Sequence, residues 1–152
     1  MNFTKMTNAR QLLNDEEDLR IVEAIRKAEL DTSGEIKVHI ENYCRGKVEE
    51  RSLHVFKHLK LNKTKQRNGM LIYLAVKDKK FAILGDEGIN KVVEDDFWND
   101  VKDLMQSHFI EGRFAEGIEQ GIQRCDEKLK AYFPHQTDDI NEIPDEISYE
   151  NN

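Results

Sequence analysis

The chain has little of several things, and each shortage removes a class of function. It holds two cysteines, Cys44 and Cys125, with no CxxC and no Cys/His pair at zinc spacing. A disulfide framework or a cysteine-based zinc site is therefore not expected. In a reducing cytosol both thiols should act as small core hydrophobes. Long apolar runs are missing too: Gly69–Val76 falls far short of the ~20 residues that cross a bilayer. The start, Met1-Asn2-Phe3-Thr4-Lys5-Met6, lacks the apolar stretch of a signal peptide. Positive charge is not in excess. Against 30 acidic residues stand 23 basic ones, a net charge of -7, which counts against a general nucleic-acid binder. No strand is followed by GxGxxG, and no Walker P-loop, EF-hand loop, CxxxxxR phosphatase loop or strand ending in DxD occurs. The expectation is a soluble, cytoplasmic protein without a membrane span.

The 152 residues that remain to be explained are 38% apolar and 35% charged, enough for one globular domain with a core of its own. Charge is unevenly spread. From His135 to Asn152, Asp138, Asp139, Glu142, Asp145, Glu146 and Glu150 face no Lys or Arg, so this segment carries -6 of the -7. Such a composition cannot offset the entropy of ordering, and a flexible acidic tail is expected over 135–152, after a domain spanning 1–134. Its apolar residues Ile140, Ile143, Ile147 and Tyr149 keep open the alternative that it docks on the domain or on a partner.

Along the domain, Asn14 followed by Asp15-Glu16-Glu17 reads as a helix cap, and Leu19, Val22, Ile25 and Ala28 hold helical spacing up to Leu30. After Asp31-Thr32-Ser33-Gly34, the residues Ile36, Val38 and Ile40 alternate with Lys37, His39 and Glu41, the period of a half-buried strand. A helix over Val48–Leu59 should bury Leu53, Phe56 and Leu59. Met70–Val76 is almost continuously apolar, as a central strand would be. Asp78-Lys79 turns it into Lys80–Leu84, a hairpin. One or two helices follow over Val92–Met105, and a long last one over Phe114–Leu129 stops before Pro134. The order α-β-α-β-β-α-α predicts a three-layer α/β/α sandwich around a small mixed sheet of three to four strands.

Topology then gathers residues that are distant in sequence. Strands 35–41 and 70–76, joined by a helical crossover, should run parallel, and strand 80–84 should return antiparallel. One edge of the sheet would thus collect Ser33-Gly34-Glu35, Arg67-Asn68-Gly69 and Gly85-Asp86-Glu87-Gly88, with Glu94-Asp95-Asp96 nearby. Carboxylates brought together repel one another unless they share a cation, and hard oxygen donors suit calcium or magnesium. Glu35, Asp86 and Glu87 are the first candidate ligands. Asp95 and Asp96 follow, then Asn68 and Asp100; the alternative is that these residues are helix caps and solvated turns.

At these same loops the sequence resembles a TPM domain, the family named for thylakoid-lumen, photosystem-repair and MOLO proteins. The segments are Thr32-Ser33-Gly34-Glu35-Ile36-Lys37-Val38, Asn68-Gly69-Met70-Leu71-Ile72-Tyr73-Leu74-Ala75, and Phe81-Ala82-Ile83-Leu84-Gly85-Asp86-Glu87-Gly88-Ile89 with the Trp98 beyond it. A fourth is Phe109-Ile110-Glu111-Gly112-Arg113-Phe114-Ala115-Glu116-Gly117-Ile118, ending in Gly121-Ile122; together they cover Leu19–Pro134. The resemblance implies an α/β/α sandwich, an association with divalent cations, calcium especially, and a stand-alone bacterial member. It also implies two alternatives: a metal-dependent acid phosphatase acting on phosphomonoesters, and an accessory module that binds a protein partner, here through the acidic tail.

Three further features carry expectations. Trp98 beside Phe97 should be a core residue or a cover over the acidic edge. Gly117 and Gly121, four apart on one helix face, should permit close helix approach. His54 and His58, also four apart on a helix, have metal-binding spacing, but the sequence offers no third ligand and they read as surface residues.

Overall fold

The computed structural model describes residues 8–136 and 143–152. The signal-peptide reading of Met1–Met6 and the part of the tail reading that concerns 137–142 lie outside them. Helix α1 (Asp15–Asp31) begins as the sequence predicts: the Asn14 side chain accepts from the Glu17 amide at 2.8 Å and Glu17 reaches back to the Asn14 amide at 3.0 Å, a reciprocal capping box. Strand β1 (Glu35–Glu41) follows, then α2 (Val48–His58), β2 (Gly69–Ala75) and β3 (Lys80–Gly85). After these come the single-turn α3 (Glu87–Asn90), α4 (Phe97–Ile110), α5 (Phe114–Tyr132) and β4 (Ser148–Glu150).

The sheet order is β3-β2-β1-β4. β1 and β2 run parallel with Glu35 opposite Gly69, and β3 returns antiparallel with Gly85 opposite Met70, the arrangement expected from the crossover and the hairpin. On one face Ile36, Val38 and Ile40 of β1 join Met70, Ile72 and Leu74 of β2 against α1, α4 and α5. On the other, Leu71, Tyr73 and Ala75 pack with Val55 and Phe56 of α2 and with Leu61. These two cores define an α/β/α sandwich. The paired glycines act as expected: a Cβ on Gly117 would lie 2.7 Å from Phe109 and one on Gly121 2.6 Å from the Met105 sulfur, so their absence lets α4 and α5 close up. Both thiols are buried and free, and burial pushes that of Cys125 up to about 12.

Three expectations are corrected. The first is the tail, because residues 143–152 are part of the domain. Ser148–Glu150 pairs parallel with His39–Glu41, and Ile143 and Ile147 are buried. The apolar residues outweigh the charge, since Ile143 joins the α2-side core and Ile147 the other. The second is β1, which is buried along its whole length rather than on alternate residues. Its polar side is roofed by α2 and flanked by the returning C-terminal segment: the Lys37 ammonium donates to the Pro144 carbonyl at 3.0 Å and the Glu146 carbonyl at 2.5 Å. The third is α2, which buries Phe56 as expected but turns Leu53 outward and buries Ser52 and Val55 in its place.

Candidate functional site

The three loops do meet at one end of the sheet. The Glu35 amide donates to the Asn68 carbonyl at 3.3 Å, and the Asp86 amide donates to the Gly69 carbonyl at 2.9 Å, so Glu35 and Asp86 flank the first residue of β2 on either side. Close approach is enforced by missing side chains. A Cβ on Gly88 would stand 2.2 Å from the Gln66 carbonyl oxygen and 2.6 Å from that of Arg67, backbone atoms that cannot step aside. Arg67 itself sits in the left-handed region at φ 52°. A Cβ on Gly85 would meet the Trp98 ring at 2.2 Å, so the indole covers the backbone next to Asp86. Its Nε1 is held by the Asn90 side chain at 2.7 Å, and its ring meets Phe97 edge-on with centroids 4.9 Å apart.

The chemistry at this end centres on Asp86. Its carboxylate caps α3 by accepting from the Glu87 amide at 2.8 Å. It also receives both arms of the Arg67 fork, Nε at 2.6 Å and Nη2 at 2.9 Å, while Nη1 reaches Glu87 at 3.2 Å. Asp86 is 8% exposed, whereas the Arg67 side chain is 41% exposed. Two carboxylates thus already share one positive group, and that group lies open to water.

The remaining candidates divide. Asn68 is buried, but its amide is used within the loop: the oxygen accepts from Thr64 Oγ1 at 3.2 Å and the nitrogen donates to Ser33 Oγ at 3.3 Å. Glu35 is buried and turns toward Glu29; burial first, then hydrogen bonds and charge from Asp145 and Glu35, push the Glu29 carboxyl far above the usual carboxylate range. Asp95, Asp96 and Asp100 are exposed. Asp96 and Asp100 line an open cleft between α4 and α5 together with Arg124 and Lys128. The geometry therefore joins Asp86 with Glu87, keeps Glu35 and Asn68 one strand away, and sends Asp96 and Asp100 elsewhere.

A second polar cluster lies beneath α2, on residues the sequence reading passed over. Glu41, fully buried, accepts from Arg51 Nε at 2.8 Å and Nη2 at 2.7 Å, from His39 Nε2 at 2.9 Å, and from the Tyr73 hydroxyl. Arg51 Nη2 also reaches Glu150 at 3.0 Å, and His39 Nδ1 faces Ser148 Oγ at 2.8 Å. Burial acts to raise the Glu41 pKa, but the hydrogen bonds from Arg51, His39 and Tyr73 outweigh it and hold the carboxyl at about 2. One signal in the sequence pointed here. Arg51 stands four residues before Val55, on the buried stripe of α2, where a charge needs a partner.

A small mixed sheet between helical layers, with glycine-bearing loops collecting acidic side chains at one end, defines the class. The TPM domain family model matches residues 6–128, and the chain belongs to that family. Among solved structures, the BA42 protein of the psychrophilic bacterium Bizionia argentinensis is similar at 46% identity and a TM-score of 0.87, over 95% of this chain and 100% of that one. The N-terminal domain of a P. gingivalis protein shares the fold, with 21% identity, a TM-score of 0.67 and 82% of each chain covered. No curated protein matches. Among the described residues, no helix is long and apolar enough to cross a membrane.

Proposed function

We propose that this TPM domain is a divalent-cation-binding module of accessory or regulatory type, taking calcium or magnesium at the β3–α3 turn through Asp86 and Glu87. The observation that carries the reading is the Arg67 fork. A guanidinium bridging Asp86 and Glu87 at 2.6 to 3.2 Å stands where a metal cation would sit, and being exposed it can give way. All-oxygen donors favour calcium or magnesium over zinc or copper. Glu35 joins the ligands only by leaving Glu29, and Asn68 only by leaving Thr64. Binding is therefore expected to be weak, with Kd of about 10⁻⁵–10⁻³ M.

Turnover of a phosphomonoester asks for donors to the phosphoryl oxygens as well as a metal. The Arg67 fork is already engaged by Asp86 and Glu87, so binding without turnover is the reading that this geometry favours. Thermal unfolding in calcium, in magnesium and in EDTA tests it, alongside a chromogenic phosphomonoester assay. At a hundredfold excess over Kd, binding adds ~2.7 kcal/mol, a clear rise in Tm. Identical melting in all three conditions contradicts the proposal, and metal-dependent turnover replaces it with the phosphatase.

A further inference from the structure

Beneath α2 lies a cavity of about 90 Å³ whose wall includes His39, Arg51, His54, His58 and Glu150. It is far from a generic acidic patch: three imidazoles line it, and two of the donors behind it, His39 and Glu41, are buried. One ligand atom each from His39, Glu41 and Glu150 falls within 4.8 Å of the others. On the opposite wall His54 and His58, one helical turn apart, stack with ring centroids 6.4 Å apart and planes 11° from parallel, so both rings project from the same side of α2. His54 and His58 share the cavity wall with His39 and Glu150 but lie outside the group of three sheet donors, and being exposed they are free to rotate toward it.

We infer that this cavity is a binding site for a first-row transition dication of the zinc type, with His39, Glu41 and Glu150 as ligands from the sheet, completed from α2 by side-chain rotation of the His54/His58 pair. The site is separate from the β3–α3 turn, and its donors separate it chemically as well: imidazole with carboxylate suits zinc, cobalt or nickel, and calcium takes oxygen alone. Charge agrees with a cation. Two carboxylates face one guanidinium, and the histidines are metal ligands in their neutral form. Arg51 Nη2 now bridges Glu41 and Glu150 at 2.7 and 3.0 Å, the place the metal takes over, while Arg51 Nε keeps its bond to the other Glu41 oxygen at 2.8 Å. Ligation through His39 Nε2 moves the ring proton to Nδ1, where Ser148 Oγ at 2.8 Å accepts it in a hydrogen bond and fixes the ring.

The test is a titration of the full-length chain, without a histidine tag, with cobalt(II) as spectroscopic probe and with zinc in competition against a chromogenic chelator. His54 and His58 are exposed, so the double variant His54→Gln/His58→Gln keeps the fold, which circular dichroism checks. The wild type should give the intense visible absorption of low-coordinate cobalt. The double variant should bind zinc about tenfold more weakly or worse, and Glu150→Gln should also weaken it. Asp86→Asn should leave zinc affinity unchanged. Equal affinity in the double variant and wild type, a six-coordinate cobalt spectrum like that of the free ion, or loss of zinc binding in Asp86→Asn overturns the inference.

Discussion

Two carboxylate–guanidinium forks organise this domain, and they differ in almost everything except geometry. Asp86 with Arg67 sits at the loop end of the sheet, and its arginine is 41% exposed. Glu41 with Arg51 sits under α2, with the carboxylate at 0% and the arginine at 13% exposure. Water competes for the first pair and is kept from the second. An open fork is an exchangeable placeholder for a cation and adds little to stability. A closed one ties β1, β2, α2 and β4 together, and removing either member leaves the other charge stranded unless another ion takes its place.

The largest expected effect breaks the closed fork. Glu41→Ala leaves Arg51 with Glu150 alone and deprives His39 and Tyr73 of their acceptor, so urea unfolding should show a loss of about 3–5 kcal/mol. The same pair sets an acid limit. A carboxyl held at about 2 when folded, against 4.5 ordinarily, contributes stability that is fully present above pH 4.5 and is lost as the pH falls toward 2. Between those values the wild type should lose more stability than Glu41→Ala, and parallel curves would show that the fork carries no such linkage.

Removing residues 143–152 comes next. It exposes the edge of β1 and the surfaces that Ile143 and Ile147 cover, and should cost about 2–4 kcal/mol in the same measurement. This bears on the partner reading, because a pull-down lost on truncation reports damage to the sheet unless the truncated chain melts as the whole one does. Gly88→Ala follows at the open fork. Its methyl meets the backbone oxygens of Gln66 and Arg67 and should destabilise by about 1–3 kcal/mol. Smallest is Arg67→Ala, which should scarcely move the unfolding midpoint yet strengthen calcium binding several-fold by removing the competitor. An unchanged calcium affinity there would mean that the guanidinium is no placeholder.

The same contrast explains what could be read from the sequence. The open end was legible because its determinants are local or topological: the Asn14–Glu17 box starts α1, the unbroken apolar run of β2 marks the sheet centre, and a crossover followed by a hairpin fixes which loops share an edge. The partners of those loops were less legible. Arg67 meets Asp86 from a backbone in the left-handed region, which its residue type does not announce, and Glu35 is drawn off by Glu29, six residues earlier on a helix. The closed fork was hidden for a different reason. Lys37, His39 and Glu41 alternate with apolar residues as a solvent-facing strand does, and nothing local says that the face is roofed. What covers it is α2 and a three-residue strand, Ser148-Tyr149-Glu150, whose pairing depends on the β1 edge and not on any propensity of its own. Acidic composition then suggested a flexible tail, and for residues 143–152 two buried isoleucines decided otherwise.

The central claim is that the turn at Asp86 takes up a divalent cation. A calorimetric titration of the wild type and of Asp86→Asn with calcium tests it most directly, with melting of both metal-free proteins as the check on folding. Saturable binding in the range of about 10⁻⁵–10⁻³ M, weakened several-fold by the substitution while the metal-free Tm stays put, is the result expected. No binding by the wild type, or the same affinity in both proteins, would contradict it.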